Sequence, residues 1–456
     1  MESAAPSHFK RNFVLGVLNG TLVNFGLAFV DPFTVIPVFI TRAGGSPVLV
    51  GLAAAVYGDG WFLPQVFVAR YAESRYRVLN IYRFISVFRV LAWASIVGVV
   101  FLVDAANANL FVWMVIVLMF ANTVCAGIGG VPFLEVTSKT IPAEKRGSFF
   151  GLRRLSGGVL GILAGLIVSI VVGGEDTAIW ASGWLYRTVE EAVDAIGWSG
   201  HPFPYNYGIL IAHGAALSAI GLVLFGMINE PKAKVIHALQ PLGDHLRSGF
   251  CLLKERPNYR LFFAVRICWQ FTSMAFPFYA AYAYSVLRFS EASVGVFVSI
   301  WVSSGVLSNY IWGKLADCRG NRIVLVLTAL ISLAPPLVVL FVIHSGAGRE
   351  SWVFWTLAAT FVINGSARSG RFISNMTYLL EFAPEERRPL YVGFMNSLSF
   401  PFMLSPALGG LIVYAFSYEA LFAASVVFAV VSVILSIRLV EPRVQRPDVE
   451  SAYLPE

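Results

Sequence analysis

Runs of mostly apolar residues, each closed by a short polar or basic break, repeat along the chain from Phe13 almost to Leu439. A helix rising about 1.5 Å per residue needs ~20 such residues to cross a hydrocarbon core. The pattern predicts an all-α membrane protein of twelve spans. They lie near residues 13–40, 48–69, 79–103, 109–134, 148–172, 206–228, 260–287, 293–315, 322–344, 352–380, 390–415 and 419–439, numbered spans 1 to 12 below. Almost nothing is left for a separate soluble domain. The first apolar run is longer than the 7–15 residues of a secretory leader's core, so span 1 is expected to be retained.

Composition agrees: 57% of residues are hydrophobic, 13% are charged and the mean hydropathy is +0.72, against roughly 25% charged in soluble chains. The net charge of +7 comes from short basic clusters between spans, which argues for membrane topology and against a nucleic-acid partner. With the N-terminus inside, the outward loops hold only Arg42, Arg187, Arg288 and Arg349 of the 33 Lys and Arg residues. The positive-inside rule then places both termini in the cytoplasm of a multi-pass inner-membrane protein. The four cysteines, Cys125, Cys251, Cys268 and Cys318, fall within spans or on the cytoplasmic side, and no disulfide is expected.

Two connections are long. The outward one between spans 5 and 6 carries an apolar face of Trp184, Val189, Val193 and Ile196. The cytoplasmic one, residues 229–258, is expected to link an N-terminal bundle, 1–228, to a C-terminal bundle, 259–442, with a tail at 443–456. In it Leu246, Phe250 and Leu253 recur at helical spacing, as in a short helix lying on the inner membrane surface.

The halves are copies. Ala69-Arg-Tyr-Ala-Glu-Ser-Arg75 after span 2 matches Gly313-Lys-Leu-Ala-Asp-Cys-Arg319 after span 8 at an offset of 244. Pro142-Ala-Glu-Lys-Arg146 matches Pro384-Glu-Glu-Arg-Arg388 at 242, an offset that Asn122 and Asn364 share. Glu230-Pro231 and Glu441-Pro442 close spans 6 and 12. Polar loops matching at near-constant offset indicate a parallel duplication into two pseudo-symmetric six-helix bundles.

The stretch Gly313-Lys-Leu-Ala-Asp-Cys-Arg-Gly-Asn-Arg322 resembles the G-x-L-A-D-x-x-G-x-R loop of the major facilitator superfamily, and the first copy is a weaker version with Ala69, Glu73 and Tyr76 in place of Gly, Asp and Gly. The resemblance implies a monomeric secondary active transporter working by alternating access. It further implies a cytoplasmic gate of Asp317, Gly313 and Arg322 with Glu73 and Arg75, the carboxylates facing helix N-termini in the other half. A carboxylate there would accept unpaired N–H groups where the helix dipole favours negative charge. The alternative is that these charges solvate tight loops.

In the family that the chain resembles, spans 1, 4, 7 and 10 line a central cavity. Charges inside spans are costly and mark function. Span 10 carries Asn364, Arg368 and Arg371, span 7 Arg266 and Gln270, and span 4 Asn122. Arginines there would clamp a carboxylate, phosphate or sulfate, which favours a small anionic or zwitterionic substrate. The competing reading has them neutralise Asp31, Asp59 or Glu135. A desolvated carboxylate favours its protonated form, so Asp59 and Asp31 are the proton-coupling candidates, each with a structural hydrogen bond as its alternative.

No Walker loop, H-E-x-x-H motif or cysteine-rich metal site occurs, so neither an ATP-driven pump nor a membrane enzyme is expected, and no cofactor. An amphipathic drug or lipid transporter, or a transport-dead sensor on the same fold, remains open at this stage.

Overall fold

The computed structural model describes residues 8–62, 64, 68, 76–103, 107–173, 183–231, 250–383 and 388–442. Among them nine helices are long and apolar enough to cross a membrane. Three spans are absent from that set for visible reasons. Span 1 is broken into Phe9–Ala28 and Val35–Arg42, span 2 (Pro47–Asp59) runs on into residues outside the description, and span 10 (Ser351–Phe382) carries its own arginines. The described helices are consistent with the twelve spans read from sequence.

Prolines set the breaks. A proline withholds an N–H and clashes with the carbonyl four residues before it. Span 1 interrupts at Phe29–Thr34 around Pro32, and span 7 divides into Pro257–Ser273 and Phe276–Ser285 at Pro277. Span 9 divides into Asn321–Ile331 and Ala334–Ser345 beside Pro335 and Pro336. Span 11 passes from Arg388–Ser399 to Ser405–Ala415 through a tight turn containing Pro401. Phe84, Val87, Phe88 and Leu91 recur on one face of span 3 (Leu79–Leu102) and are exposed, as lipid-facing residues are.

The chain forms two compact units that do not coincide with the two sequence halves. One comprises Met1–Leu239, Pro277–Ser303 and Pro406–Ala415, and the other Gln240–Phe276, Ser304–Ser405 and Phe416–Glu456. The first unit therefore includes the end of span 7, the start of span 8 and the end of span 11, here called distal. Glycines permit this. A Cβ on Gly165 of span 5 would lie 2.6 Å from the carbonyl oxygen of Gly295 in span 8, and one on Gly295 would lie 2.6 Å from Cα of Ser169. Likewise a Cβ on Gly51 of span 2 would meet the Pro406 carbonyl carbon of span 11 at 2.7 Å, and one on Gly410 the Pro47 carbonyl carbon at 2.8 Å. Gly51 and Gly295 are separated by 244 positions, the offset of the repeat, so the same device is used twice. The small-residue face of span 5, Gly157, Gly161 and Gly165, is a packing face, as its spacing suggests: Gly157 meets Asn24, and Gly161 meets Val302 and Ala28.

The repeated Glu-Pro has a physical role. In the first unit the buried Glu230 carboxylate accepts the N–H groups of Val78 (3.0 Å) and Leu79 (2.9 Å) at the start of span 3. Lys139 lies 3.2 Å away and balances its charge. In the second unit Glu441 accepts the Arg322 N–H at 2.8 Å at the start of span 9. Each copy thus ends on a carboxylate that caps its own third helix, satisfying orphan donors at the positive end of the dipole. Gly320, before the second cap, has φ +89, and a Cβ there would lie 2.5 Å from the Glu441 carboxyl carbon. Gly320→Ala and Glu441→Gln should each lower the thermal midpoint of the purified protein, by about 1–3 kcal/mol for the strained backbone and about 0.5–2 kcal/mol for the weakened cap. A midpoint unchanged in both would remove the cap from the stability of that unit.

Of the apolar face expected in the linker, Phe250 is exposed and Leu253 half-buried. Leu246 lies outside the described residues, while Leu252 is buried in a core cluster with Tyr259, Phe262, Tyr391 and Phe394, and Phe250 meets the Phe394 ring edge-on at 5.2 Å. Burial of Leu252 fixes this stretch to the second unit rather than to lipid. In the outward connection the helix Trp184–Ala195 buries Tyr186 and Val193 and leaves Trp184 and Ile196 exposed.

Candidate functional site

Polar side chains within the spans fall into two groups, one in each unit, and they differ in how well they are satisfied. In the first unit Arg153 of span 5 donates to Asn19 Oδ1 at 2.9 Å and to the Gly16 carbonyl, and its guanidinium stacks on Phe133 (4.7 Å) and Phe149 (5.3 Å). Asn19 in turn donates to the Gly221 carbonyl at 2.8 Å. Gly20 is required beside it, since a Cβ would lie 2.6 Å from the guanidinium carbon. This chain ties spans 1, 5 and 6 together with its polar atoms paired.

Asp31 belongs to the same unit. Its carboxylate accepts the Phe33 N–H (2.9 Å) and the Thr34 hydroxyl (2.8 Å), which turns the chain between the two segments of span 1. Asn122 is buried and donates to the Arg89 carbonyl at 3.1 Å. Around Arg89 is a group that the sequence reading passed over: Arg89 Nε, Trp93 Nε1 and Tyr57 Oη are buried with no hydrogen-bond partner among the described residues, and the Tyr57 and Trp93 rings meet edge-on at 6.1 Å. An arginine ten residues into an apolar span was the signal. Glu135, proposed as a counter-charge for membrane arginines, instead pairs with Lys139 one turn away at 3.1 Å.

The second unit holds the less satisfied cation. Arg371 on span 10 is 1% exposed, and its Nε, Nη1 and Nη2 all lack a hydrogen-bond partner among the described residues. Its guanidinium lies 5.4 Å from the Trp269 ring of span 7, whose own Nε1 is likewise buried and unpartnered. One turn on, Asn375 Oδ1 is also unsatisfied. Arg266 makes a long contact, 3.4 Å, to Asn396 Oδ1 of span 11. Asn364 is buried; Gln270 and Arg368 are half-buried, and the Gln270 carbonyl accepts the Ser405 hydroxyl at 2.8 Å. Spans 7 and 10 thus bring Arg371 and Trp269 together as donor groups short of acceptors among the described residues, with Arg266 and Asn375 elsewhere in the same unit. A buried ion without a partner costs several kcal/mol, of the order of ~3–5 kcal/mol when a partner is removed, so such a set suits an acceptor-rich ligand.

Of the predicted gate, Gly313 has open space around it, Asp317 is exposed, and Arg322 donates to the Ile437 carbonyl at 2.6 Å. Glu73, Arg75 and the Asp59 side chain lie outside the described residues. Arg146, in the first Pro-x-x-x-Arg loop, caps the end of span 4 by donating to the Ser138 and Ile141 carbonyls.

Two helical units with a sparing set of buried polar groups inside the spans describe a polytopic membrane protein. Residues 261–453 match the family model of the Major Facilitator Superfamily, and solved transporter structures share the fold along nearly the whole chain. A variant of the nucleoside transporter NupG superposes with a TM-score of 0.64 at 13% identity, covering 94% of this chain and 98% of that one. A bacterial homologue of the human lysosomal transporter Spinster gives 0.64 at 13% identity, over 99% and 100%. A D-xylose–proton symporter gives 0.63 at 12% identity, over 96% and 98%. No curated protein matches the chain in sequence.

Proposed function

We propose that the protein is a proton-coupled secondary transporter that carries a small organic anion or zwitterion by alternating access, with Arg371 as the principal substrate contact. Arg266, Gln270, Asn364, Arg368 and Asn122 are the remaining members of the proposed site. The observation that carries this reading is the fully buried Arg371 with three unpartnered nitrogens over Trp269. A carboxylate or phosphate bound there would supply the missing charge and accept bidentate hydrogen bonds. A neutral nucleoside or sugar, as carried by the nucleoside transporter and the D-xylose–proton symporter of similar fold, would leave that charge without a counter-ion.

The scarcity of arginine and lysine in distal loops supports cytoplasmic termini in an inner-membrane protein, and a monomer is part of the same proposal. Asp317, Gly313 and Arg322, with Glu73 and Arg75, are the proposed cytoplasmic gate. Asp59 remains a proton-coupling candidate; Asp31, with two local donors, is the weaker one.

The test is thermal melting of the purified protein across small carboxylates, phosphate esters, sugars, nucleosides, amphipathic amines and lipids, followed by proteoliposome flux of each stabilising compound under an imposed pH gradient. At a hundredfold excess over Kd a ligand stabilises by about 2.7 kcal/mol. Stabilisation and flux confined to anions is expected. Stabilisation by neutral or lipidic compounds alone would reject the anion reading, and binding without flux would identify a sensor.

A further inference from the structure

At the distal end of the first unit is a carboxylate with no role in the site above. Glu291, in the loop between spans 7 and 8, has an 11% exposed side chain and pairs with Arg42 at the end of span 1, 249 positions earlier. Tyr207 of span 6 donates to the same carboxylate at 3.1 Å, and Tyr284 of span 7 faces it. Beside the pair is a cavity of about 480 Å³, lined by Arg42, Glu291, Arg288, His201, Asn206 and Tyr284.

The two partners are unequally placed. Arg42 is 30% exposed and lies 4.8 Å over the Phe203 ring, so it keeps water and a cation–π contact whatever the state of Glu291. Glu291 is nearly enclosed and depends on its donors. The cavity supplies a route for water, and hence protons, to the acid.

We propose that Glu291 is a proton-binding site reached from the distal, external side, and that its protonation governs the contact joining span 1 to the span 7–8 loop. The proposal rests on the alternating-access reading, in which such a contact must form and release once per cycle. Burial pushes the Glu291 carboxyl up, and Arg42, Tyr207 and Tyr284 pull it back without cancelling the rise. Arg288 and His201 are the other charged or titratable groups facing the cavity. A carboxyl raised in the assembled contact binds protons more tightly there than when solvated. The contact is therefore favoured at acid pH and weakened as pH rises from the ordinary glutamate range through the raised value. Protons from outside would favour closing the distal end.

The experiment uses the full chain in proteoliposomes and no transported solute, so it stands or falls apart from the anion reading. Infrared difference spectra over a pH series should show a protonated carboxyl band titrating above the ordinary glutamate range, absent in Glu291→Gln and shifted further up in Arg42→Met. Spin labels on the exposed Leu110→Cys and Val286→Cys, both in the first unit and in a background free of native cysteines, should report a short-distance population that falls as pH rises in the parent protein and is independent of pH in Glu291→Gln. A band that persists in Glu291→Gln, or a distance equally pH-dependent in that variant, would overturn the proposal.

Discussion

Arg371→Met should abolish anion-dependent stabilisation and flux while leaving the ligand-free protein as stable as the parent, or more so. The two signs come from one cause. In the ligand-free protein the guanidinium is desolvated and has no hydrogen-bond partner among the described residues, so an apolar side chain of similar length removes a cost. Replacing buried charged groups by apolar ones is often neutral or stabilising by about 1–4 kcal/mol. With an anion bound, truncating one partner of a buried charge pair costs ~2–5 kcal/mol, a loss of affinity of about 30- to 4,000-fold. Arg371→Lys retains charge without the fork and should fall between. Arg153→Met provides the contrast: it removes donors to Asn19 and the Gly16 carbonyl and should lower the ligand-free melting midpoint. Melting curves with and without the stabilising anion read both effects. If Arg371→Met binds anions as the parent does, the principal contact lies elsewhere.

The contrast between Arg153 and Arg371 also marks what a sequence can reveal. Length and apolarity made the twelve spans legible, because the bilayer imposes both. The duplication was legible in its polar loops, and the capping carboxylates Glu230 and Glu441 were visible as a repeat before their role was. Arg371 could be chosen by its place in an apolar span, but so could Arg368, and only packing distinguishes them. Asp31 looked like a membrane acid, yet the break at Pro32 gives it two local donors. Glu291 was not legible at all. It reads as an ordinary loop acid, since its partner lies 249 positions away and nothing local signals burial. Gly51 and Gly295 keep the repeat offset in plain sight, but single glycines among 40 carry no weight until backbones are seen to touch.

Those glycines give the second large effect: Gly165→Val should stop transport by preventing distal closure, without unfolding the protein. A side chain at position 165 has no free direction, because its Cβ would lie 2.6 Å from the Gly295 carbonyl oxygen and 2.7 Å from the Ser299 backbone nitrogen. Backbone atoms cannot rotate aside as a side chain would, so relief requires spans 5 and 8 to part. Gly51→Val applies the same wedge between spans 2 and 11, whereas Gly98→Val, with nothing within 4 Å of its Cβ, is the control for a valine in a span. The fully buried Ser169 adjoins the seam, so Ser169→Cys in a background lacking native cysteines reports its opening. A membrane-impermeant thiol reagent should label that cysteine about tenfold faster or more once Gly165→Val is added, the shift that ~1.4 kcal/mol produces. Gly98→Val should leave labelling and flux as they were. Because the wedge acts on an equilibrium between arrangements, anion binding to the state that survives should persist even as flux disappears. Unchanged labelling with intact flux would mean that these glycines serve only assembly and that the distal contact does not open during transport.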